Sequence, residues 1–223
     1  MNEDSLSLQE VTLKRKKLLF AVVCDGIGGL WGGEKASGFV AERMTEWFYQ
    51  EAIGLLKKKK GGRRILQSGI RSLYACNEEL SDFGRHRQKK LGTAVTVLLL
   101  DGRKYFLWHS GDTRAYRIGK RAGKIKQLTK DHLEEGQALN RCVGSFSWKK
   151  PDTFTGHLRK GESLFMCSDG FRNRIAEERL GETLQGREIR TREQIFLRLK
   201  EIADWVKRQG EKDNISAVFI RLL

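Results

Sequence analysis

The chain has 223 residues, of which 39% are hydrophobic, so it is long enough to bury one sizeable core. Lysine and arginine number 43 against 28 acidic residues, and the formal net charge of +15 favours anionic partners. No apolar stretch approaches the length of a membrane span, no signal peptide is recognisable, and the four cysteines match no zinc spacing. We therefore expect a single domain over residues 1–223 that is cytoplasmic, contacts no membrane and has reduced cysteines used as core fillers.

The hydrophobic pattern predicts strands and amphipathic helices in alternating blocks. Apolar residues recur three, four or seven apart in both long helices, and we assign the aromatic residues of these stripes to the core. Residues 131–143 are ambiguous and are interpreted as one short helix, and the run Lys57–Lys60 as a solvated loop. The predicted elements are strands 8–17 and 18–24, helices 33–56 and 63–83, strands 93–100, 104–110, 114–118, 124–128, 153–158 and 163–167, helix 191–209 and strand 215–222. This α+β pattern indicates a β-sandwich covered by helices.

The first buried strand ends in Asp25-Gly26, followed by further glycines and then the predicted helix. Asp-Gly is a strong turn dipeptide, so a hairpin is the alternative interpretation. A helix follows, however, instead of a partner strand. The same construction recurs at Asp169-Gly170. We accept the hairpin interpretation only for Asp101-Gly102, which lies between two predicted strands.

Acidic residues adjoin the ends of several predicted strands. In antiparallel sheets the start of one strand lies beside the end of its neighbour, so these acids are predicted to share one rim of the sandwich. Such carboxylates repel one another unless a cation neutralises them, and oxygen ligands suit Mg²⁺ or Mn²⁺. Two such ions about 3.5–4 Å apart activate a bridging water and clamp a phosphoryl group. For any single acid, a turn or helix cap is the better interpretation, but the joint pattern favours a metal site. The acids are Asp4, Asp25, Asp112, Asp169 and Asp213.

Seven ordered motifs together resemble the bacterial branch of the metal-dependent protein phosphatases, the type 2C serine/threonine phosphatases. The resemblance covers nearly the whole chain and implies a four-layer α-β-β-α sandwich of two mainly antiparallel sheets flanked by helices. The motifs are Asn2-Glu3-Asp4-Ser5, Cys24-Asp25-Gly26-Ile27-Gly28-Gly29, Gly92-Thr93, Gly111-Asp112-Thr113-Arg114-Ala115-Tyr116, Leu128-Thr129-Lys130-Asp131-His132, Cys167-Ser168-Asp169-Gly170-Phe171 and Asp213-Asn214.

The resemblance also implies hydrolysis of phosphoserine and phosphothreonine by a water that bridges two Mn²⁺ or Mg²⁺ ions, with Asp25, Asp169 and Asp213 as catalytic residues. Asp25 would bridge the metals, the Gly26 carbonyl would bind one of them, and Asp169 and Asp213 would complete the first metal's shell. Asp112, with Asp169, would match a third metal site. Glu3 and Asp4 would hold metal-bound waters. The implied partners are phosphoproteins modified by a bacterial serine/threonine kinase, and we expect a monomer.

Two departures from the family pattern motivate an alternative. The family's arginine before the Asn-Glu-Asp motif, which grips the substrate phosphate, has no counterpart here, and we expect the family's first strand to be absent as well. Either the chain starts late or another basic residue replaces the arginine, and we leave that phosphate-binding residue unassigned. The segment between Asp131 and Pro151 is also short for the family's flap. The alternative is therefore a weak or inactive phosphatase-fold protein with a regulatory or binding role. A nucleic-acid-binding role rests on the +15 charge alone, and no nucleic-acid motif accompanies it.

Overall fold

A computed structural model describes most of the chain, and side chains and backbone are discussed for these ranges alone. They are residues 1–13, 16–28, 31–58, 61–120, 124–134, 138–144, 146–185, 189 and 191–222. Gly29 of the second motif lies outside them.

One antiparallel sheet contains the long N-terminal strands, in the order β1-β2-β3-β4-β8, with the short β7 paired to β3. Its central strand β3 is buried over nine consecutive residues, which explains its unbroken apolar and β-branched sequence. The strands are β1 (Asp4–Leu13), β2 (Lys16–Gly26), β3 (Gly92–Asp101), β4 (Lys104–Ser110), β7 (Val143–Gly144) and β8 (Asp152–His157).

The second antiparallel sheet has the order β10-β9-β5-β6. Its strands are β5 (Arg114–Ile118), β6 (Ile125–Gln127), β9 (Ser163–Cys167) and β10 (Ala217–Arg221). The last strand of the chain is therefore an edge strand, and β9 lies between it and β5.

Helices cover the outer face of each sheet. The helices are α1 (Gly33–Trp47), a π-helical turn (Phe48–Ala52), α2 (Ile53–Lys57), α3 (Gly62–Arg87), α4 (Asp169–Arg172), α5 (Glu177–Leu184) and α6 (Arg192–Arg208). A full capping box begins α6, because Thr191 accepts from the Gln194 N–H and the Gln194 side chain accepts from the Thr191 N–H. No helix in the described ranges is long and apolar enough to cross a membrane.

Three buried hydrophobic clusters separate the four layers. One packs α1 and α3 on the first sheet around Trp47 and Trp108, whose rings meet edge-on at 5.3 Å. A second fills the space between the sheets, and the third packs α5 and α6 on the second sheet. The predicted α-β-β-α sandwich is confirmed. All four cysteines are free and buried, as expected of core fillers.

The structure corrects several predicted elements. The first strand starts at Asp4, not at residue 8. The helix predicted for residues 131–143 is wrong, because the described part of this segment forms an isolated bridge between Leu133 and Leu139. Phe83, assigned to the core, is 39% exposed, because it lies near the end of α3 and stacks on Trp31 instead.

Candidate functional site

The predicted acidic rim begins where β1 and β2 pair. Asp4 and Asp25 are directly opposed in the register of these strands, and Asp25 is opposed to Ala94 of β3 on its other side. The Thr93 hydroxyl donates a hydrogen bond of 2.8 Å to the Asp25 carbonyl, which anchors the end of β2 to β3. Asp4 and Asp25 are 21 residues apart in the sequence and are immediate cross-strand neighbours in the sheet.

The second sheet closes on this pair through polar contacts. The Ser168 hydroxyl, at the end of β9, donates to Asp4 Oδ2 at 2.9 Å. The Glu3 N–H donates to Asn214 Oδ1 at 2.7 Å. Asp169 directly follows Ser168 and Asp213 directly precedes Asn214, so these bonds bring both acids to the rim that holds Asp4.

Two glycines allow this close approach. Gly170 has no room for a side chain, because a methyl group there would collide with the Asn214 carbonyl. Gly111 packs on Ala94, the residue opposed to Asp25. Its φ of +113°, which favours glycine, turns the chain after β4 so that Asp112 lies at the same rim.

Glu3 and Gly26 lie on the side of the rim that faces α1. The Gly26 N–H donates to the Glu3 carbonyl at 3.0 Å. A methyl group on Gly26 would lie 2.5 Å from the Gly33 carbonyl carbon, so only glycine permits the contact between the end of β2 and the start of α1. The Glu3 carboxylate lies beside Gly28 and Gly33, since a methyl group on either glycine would be 3.4 or 2.8 Å from one of its oxygens.

The acids at the rim shift one another's pKa values. Burial, followed by the charges of Asp4, Asp169, Asp112 and Asp213, raises the pKa of Asp25 to about 9. Burial and then Asp169 raise the pKa of Asp112 to about 6. The pKa values of Asp4 and Asp213 are also raised, in each case chiefly by burial and further by neighbouring aspartates. The five aspartates therefore lie near enough to one another for their charges to interact.

The donor set fits a hard divalent cation. Asp169 Oδ1 is buried and has no hydrogen-bond partner in the described part of the protein. A buried carboxylate oxygen without a partner is costly, and a cation removes that cost together with the repulsion among the acids. Within the described ranges no three acidic, histidine or cysteine side chains already converge as a ligand set. The acids thus share a rim, and their side chains are not arranged as a closed coordination shell.

Sequence reasoning assigned no role to a network that supports this rim. Arg114 donates to both carboxylate oxygens of Asp131, at 2.9 and 2.7 Å, and also to Glu177. Arg172 donates to Asp131 at 3.3 Å and to the Asp112 carbonyl at 3.4 Å. The network therefore links β5 and the α5 region to the Asp112 loop. The Gly-Asp-Thr-Arg spacing that places Arg114 next to this loop is the only sequence signal for it.

A buried histidine pair has a similar supporting position. The rings of His109 and His132 stack with centroids 4.9 Å apart. His132 Nδ1 accepts from the Gly111 N–H at 3.1 Å, so this side chain holds the loop that carries Asp112. His109 bonds to Thr96 and to the Lys130 carbonyl, both at 3.0 Å. Both rings are buried, which agrees with a structural role for these two histidines.

The chain matches a known family and several characterised proteins. Residues 1–213 match the family model described as Protein phosphatase 2C. The serine/threonine protein phosphatase PstP of Mycobacterium tuberculosis is 28% identical over 215 residues, which cover 88% of this chain and 39% of that protein. The chain thus spans about two fifths of that relative's length. The serine/threonine phosphatase stp of Listeria monocytogenes is 22% identical, with 89% of this chain and 82% of that protein covered.

Solved structures have the same fold. Serine/threonine phosphatase Stp1 from Staphylococcus aureus superposes with a TM-score of 0.83 at 21% identity, covering 100% of this chain and 90% of that chain. The Mycobacterium tuberculosis phosphatase PstP/Ppp superposes with a TM-score of 0.74 at 25% identity, covering 100% of this chain and 92% of that chain.

Proposed function

Because this chain belongs to the protein phosphatase 2C family, we propose that it hydrolyses phosphoserine and phosphothreonine in proteins with the help of bound Mn²⁺ or Mg²⁺ ions. Its substrates are then phosphoproteins, with those of a bacterial serine/threonine kinase as the expected source. The observation that carries the proposal is the group of mutually repelling aspartates, in which Asp25 has a pKa of about 9.

In this proposal each acid has a defined role. Asp25 would be a ligand shared by two ions, the Gly26 carbonyl would bind one of them, and Asp169 and Asp213 would also be its ligands. Asp112 would help to hold a third ion together with Asp169. The last two acids of the set, Glu3 and Asp4, would hold water at the edge of the site. Asp169 Oδ1, which is buried without a partner in the described structure, is the ligand atom that this assignment explains best.

When bound, the ions would supply a nucleophilic water at neutral pH and offset the negative charge of the phosphoryl oxygens. The protein supplies rigid positioning. Thr93 fixes the backbone at Asp25, and Ser168 fixes the Asp4 carboxylate between the two sheets. These bonds hold the strands that carry the carboxylates in place despite their repulsion, so that loading the site would rearrange side chains and not the strands themselves.

A cysteine nucleophile is disfavoured by the same structure. Burial raises the pKa values of Cys76, Cys142 and Cys167 to about 12, and that of Cys24 is also raised by burial. Phosphoryl transfer to cysteine requires an accessible thiolate, and none of these buried thiols provides one at neutral pH. The chain therefore lacks the chemical basis for a thiol phosphatase.

The test is hydrolysis of p-nitrophenyl phosphate and of a phosphothreonine peptide with added Mn²⁺, added Mg²⁺ or excess EDTA. We expect turnover that requires metal and falls at least about 100-fold in Asp169→Asn. Asp204→Asn serves as the matched control, because Asp204 is an exposed acid on α6 that only approaches Lys200 at 3.9 Å. Its turnover should equal that of the wild type.

Two results would contradict the proposal. Turnover that persists in EDTA would exclude metal-dependent hydrolysis, and equal rates for Asp169→Asn and Asp204→Asn would exclude this site. Calorimetric binding of Mn²⁺ without any turnover would instead favour the regulatory alternative, in which the metal centre remains but catalysis is lost.

A further inference from the structure

The surface beside the acidic rim, on the side of α1 and α3, combines exposed aromatic rings with cations. We call it the basic–aromatic surface. Phe83 and Phe146 are 39% and 38% exposed, which is unusual for phenylalanine. Each ring of this surface has a cation above it, at 4.2 to 5.9 Å from the ring centroid. Its members are Trp31, Lys35, Phe83, Arg87, Lys90 and Phe146.

Two parts of this surface adjoin the candidate site, one around Phe146 and the other around Trp31. The Phe146 ring lies against Gly92, whose carbonyl accepts from the Ile27 N–H at 3.0 Å, two residues beyond Asp25. Trp31 stacks on Phe83 at 6.0 Å and lies two residues before Gly33, which contacts the Glu3 carboxylate. A peptide that presents a phosphorylated residue to the acidic rim would therefore pass over these rings.

The cations of the surface are not neutralised by the protein. Lys35, Arg87 and Lys90 form no ion pair with any carboxylate in the described ranges. On the opposite side of the rim, by contrast, Arg114 and Arg172 are both paired with Asp131. The charge around the site is thus asymmetric.

Ordinary helix electrostatics explains only part of this arrangement. Arg87 lies in the last turn of α3, where a cation interacts favourably with the helix dipole. Lys35, however, is in the first turn of α1, where a cation is unfavourable, and Lys90 lies beyond the end of α3. Lys35 and Lys90 therefore need another explanation.

We propose that the basic–aromatic surface binds acidic residues that flank the phosphorylated residue, so that the preferred substrate is an acidic phosphopeptide segment. This inference rests on the proposed function. The carboxylates of the segment pair with the three cations, and its apolar side chains and backbone lie on the exposed rings. The acids at the rim itself repel such a segment unless cations occupy the site, so metal loading and substrate preference act together.

The experiment compares two phosphothreonine peptides that differ only in having glutamate or glutamine around the phosphorylated residue. Each kcat/KM is divided by the same variant's rate on p-nitrophenyl phosphate, which has no flanking residues. We expect the wild type to prefer the glutamate peptide about tenfold at low salt, and this preference should shrink with added salt. Arg87→Glu/Lys90→Glu should abolish the preference or reverse it.

A matched control lies on the same helix. Arg63 and Arg64 are exposed at the start of α3, about 36 Å from Arg87 along the helix at 1.5 Å per residue. Arg63→Glu/Arg64→Glu makes the same change in net charge and should retain the preference. An equal loss of preference in both double variants would show that only the overall charge matters, and would overturn the inference. A wild-type enzyme that does not distinguish the two peptides would overturn it as well.

A binding measurement distinguishes failure of this inference from failure of the proposed function. If no substrate is hydrolysed, fluorescence anisotropy of the two labelled peptides in the presence of Mn²⁺ still tests the surface. Tighter binding of the glutamate peptide, lost in Arg87→Glu/Lys90→Glu only, would support it. Binding of arbitrary duplex DNA that depends on Arg87 and Lys90, with no peptide preference, would assign the surface to nucleic acid instead.

Discussion

Replacing Asp25 by asparagine should stabilise the metal-free protein while abolishing its activity. The Asp25 carboxylate makes no side-chain hydrogen bond within the described ranges, so replacing it with the asparagine amide breaks no favourable contact that the structure shows. The substitution removes a group whose negative charge is disfavoured by burial and by four neighbouring aspartates. A residue that only supports the fold would behave in the opposite way, because its loss would destabilise the protein.

The magnitude follows from proton linkage. Because the pKa of Asp25 is raised from 3.8 to about 9, the folded protein retains a proton that the unfolded chain releases between these values. Stability therefore falls as the pH rises through this range. At pH 7 the cost is at most about 4 kcal/mol, and at pH 5 about 2 kcal/mol, at about 1.4 kcal/mol per pH unit. The Asp25→Asn variant has no such cost.

The assay is urea unfolding in EDTA at pH 5 and pH 7, with Asp204→Asn as the exposed control. We expect the variant to gain stability over the wild type by more at pH 7 than at pH 5. Asp204→Asn should stay within about 0.5 kcal/mol of the wild type at both. An unchanged or lower unfolding midpoint for Asp25→Asn at pH 7 would refute the reasoning, as would a gain that is the same at the two pH values.

Two further predictions concern groups outside the acidic rim. Burial, followed by the charge of His132, lowers the pKa of His109 to about 4. The fold should therefore lose up to about 3 kcal/mol of stability as the pH falls from 6.5 to 4. NMR should show a neutral His109 ring at pH 5.5, and a titration near pH 6.5 would contradict this prediction. Gly69→Ala should lower the free energy of unfolding in urea by about 1–3 kcal/mol, because the new methyl group would lie 2.5 Å from the Trp108 ring. Gly54→Ala in α2 should raise it by up to about 1 kcal/mol, because its methyl group would meet no atom within 4 Å. Equal effects of the two substitutions would contradict this packing.

Periodicity was sufficient to predict the long elements. The helix expected over residues 63–83 is α3, which extends to Arg87, and the strand expected over 104–110 matches β4. These segments have one buried face with a clear repeat, so the hydrophobic pattern determines their type. The start of β1 was missed because its alternation is weak. Leu6 and Leu8 are about half exposed, and the residues that alternate with them, Ser5, Ser7 and Gln9, are polar.

The segment after Asp131 was predicted wrongly for a different reason. Its polar side chains bond to distant elements instead of to their own helix: Asp131 pairs with Arg114, and His132 accepts from the Gly111 N–H. Such tertiary contacts leave no periodic trace in the sequence. Phe83 was misassigned for a related reason, since the stripe of α3 continues past the sheet that buries its earlier members.

The pairing of Asp4 with Asp25 was predictable because it depends on strand topology alone. Antiparallel pairing places the start of β1 beside the end of β2, and this single rule brings Asp4 to Asp25. The network of Arg114, Asp131 and Arg172 was not predictable, because it depends on side-chain directions within loops. A rule about strand ends therefore recovers the acids that repel one another, and misses the basic residues that hold their surroundings in place.

At the rim the two sheets are joined by hydrogen bonds instead of by apolar packing. Apolar contacts fill the space between the sheets as far as Val23 and Val218, and beyond them the joints are hydrogen bonds, from Ser168 to Asp4 and from Glu3 to Asn214. Of these four residues, Asp4 takes part in the mutual repulsion of the aspartates, and Asp169 and Asp213 directly adjoin Ser168 and Asn214. Hydrogen bonds between the sheets tolerate this repulsion, because each donor has its own acceptor. Apolar packing at the same place would exclude the water and ions that relieve the repulsion. The end of the sandwich is therefore the part of the fold that accommodates a cluster of negative charge, and a bound cation would stabilise the protein at the point where the proposed reaction needs it.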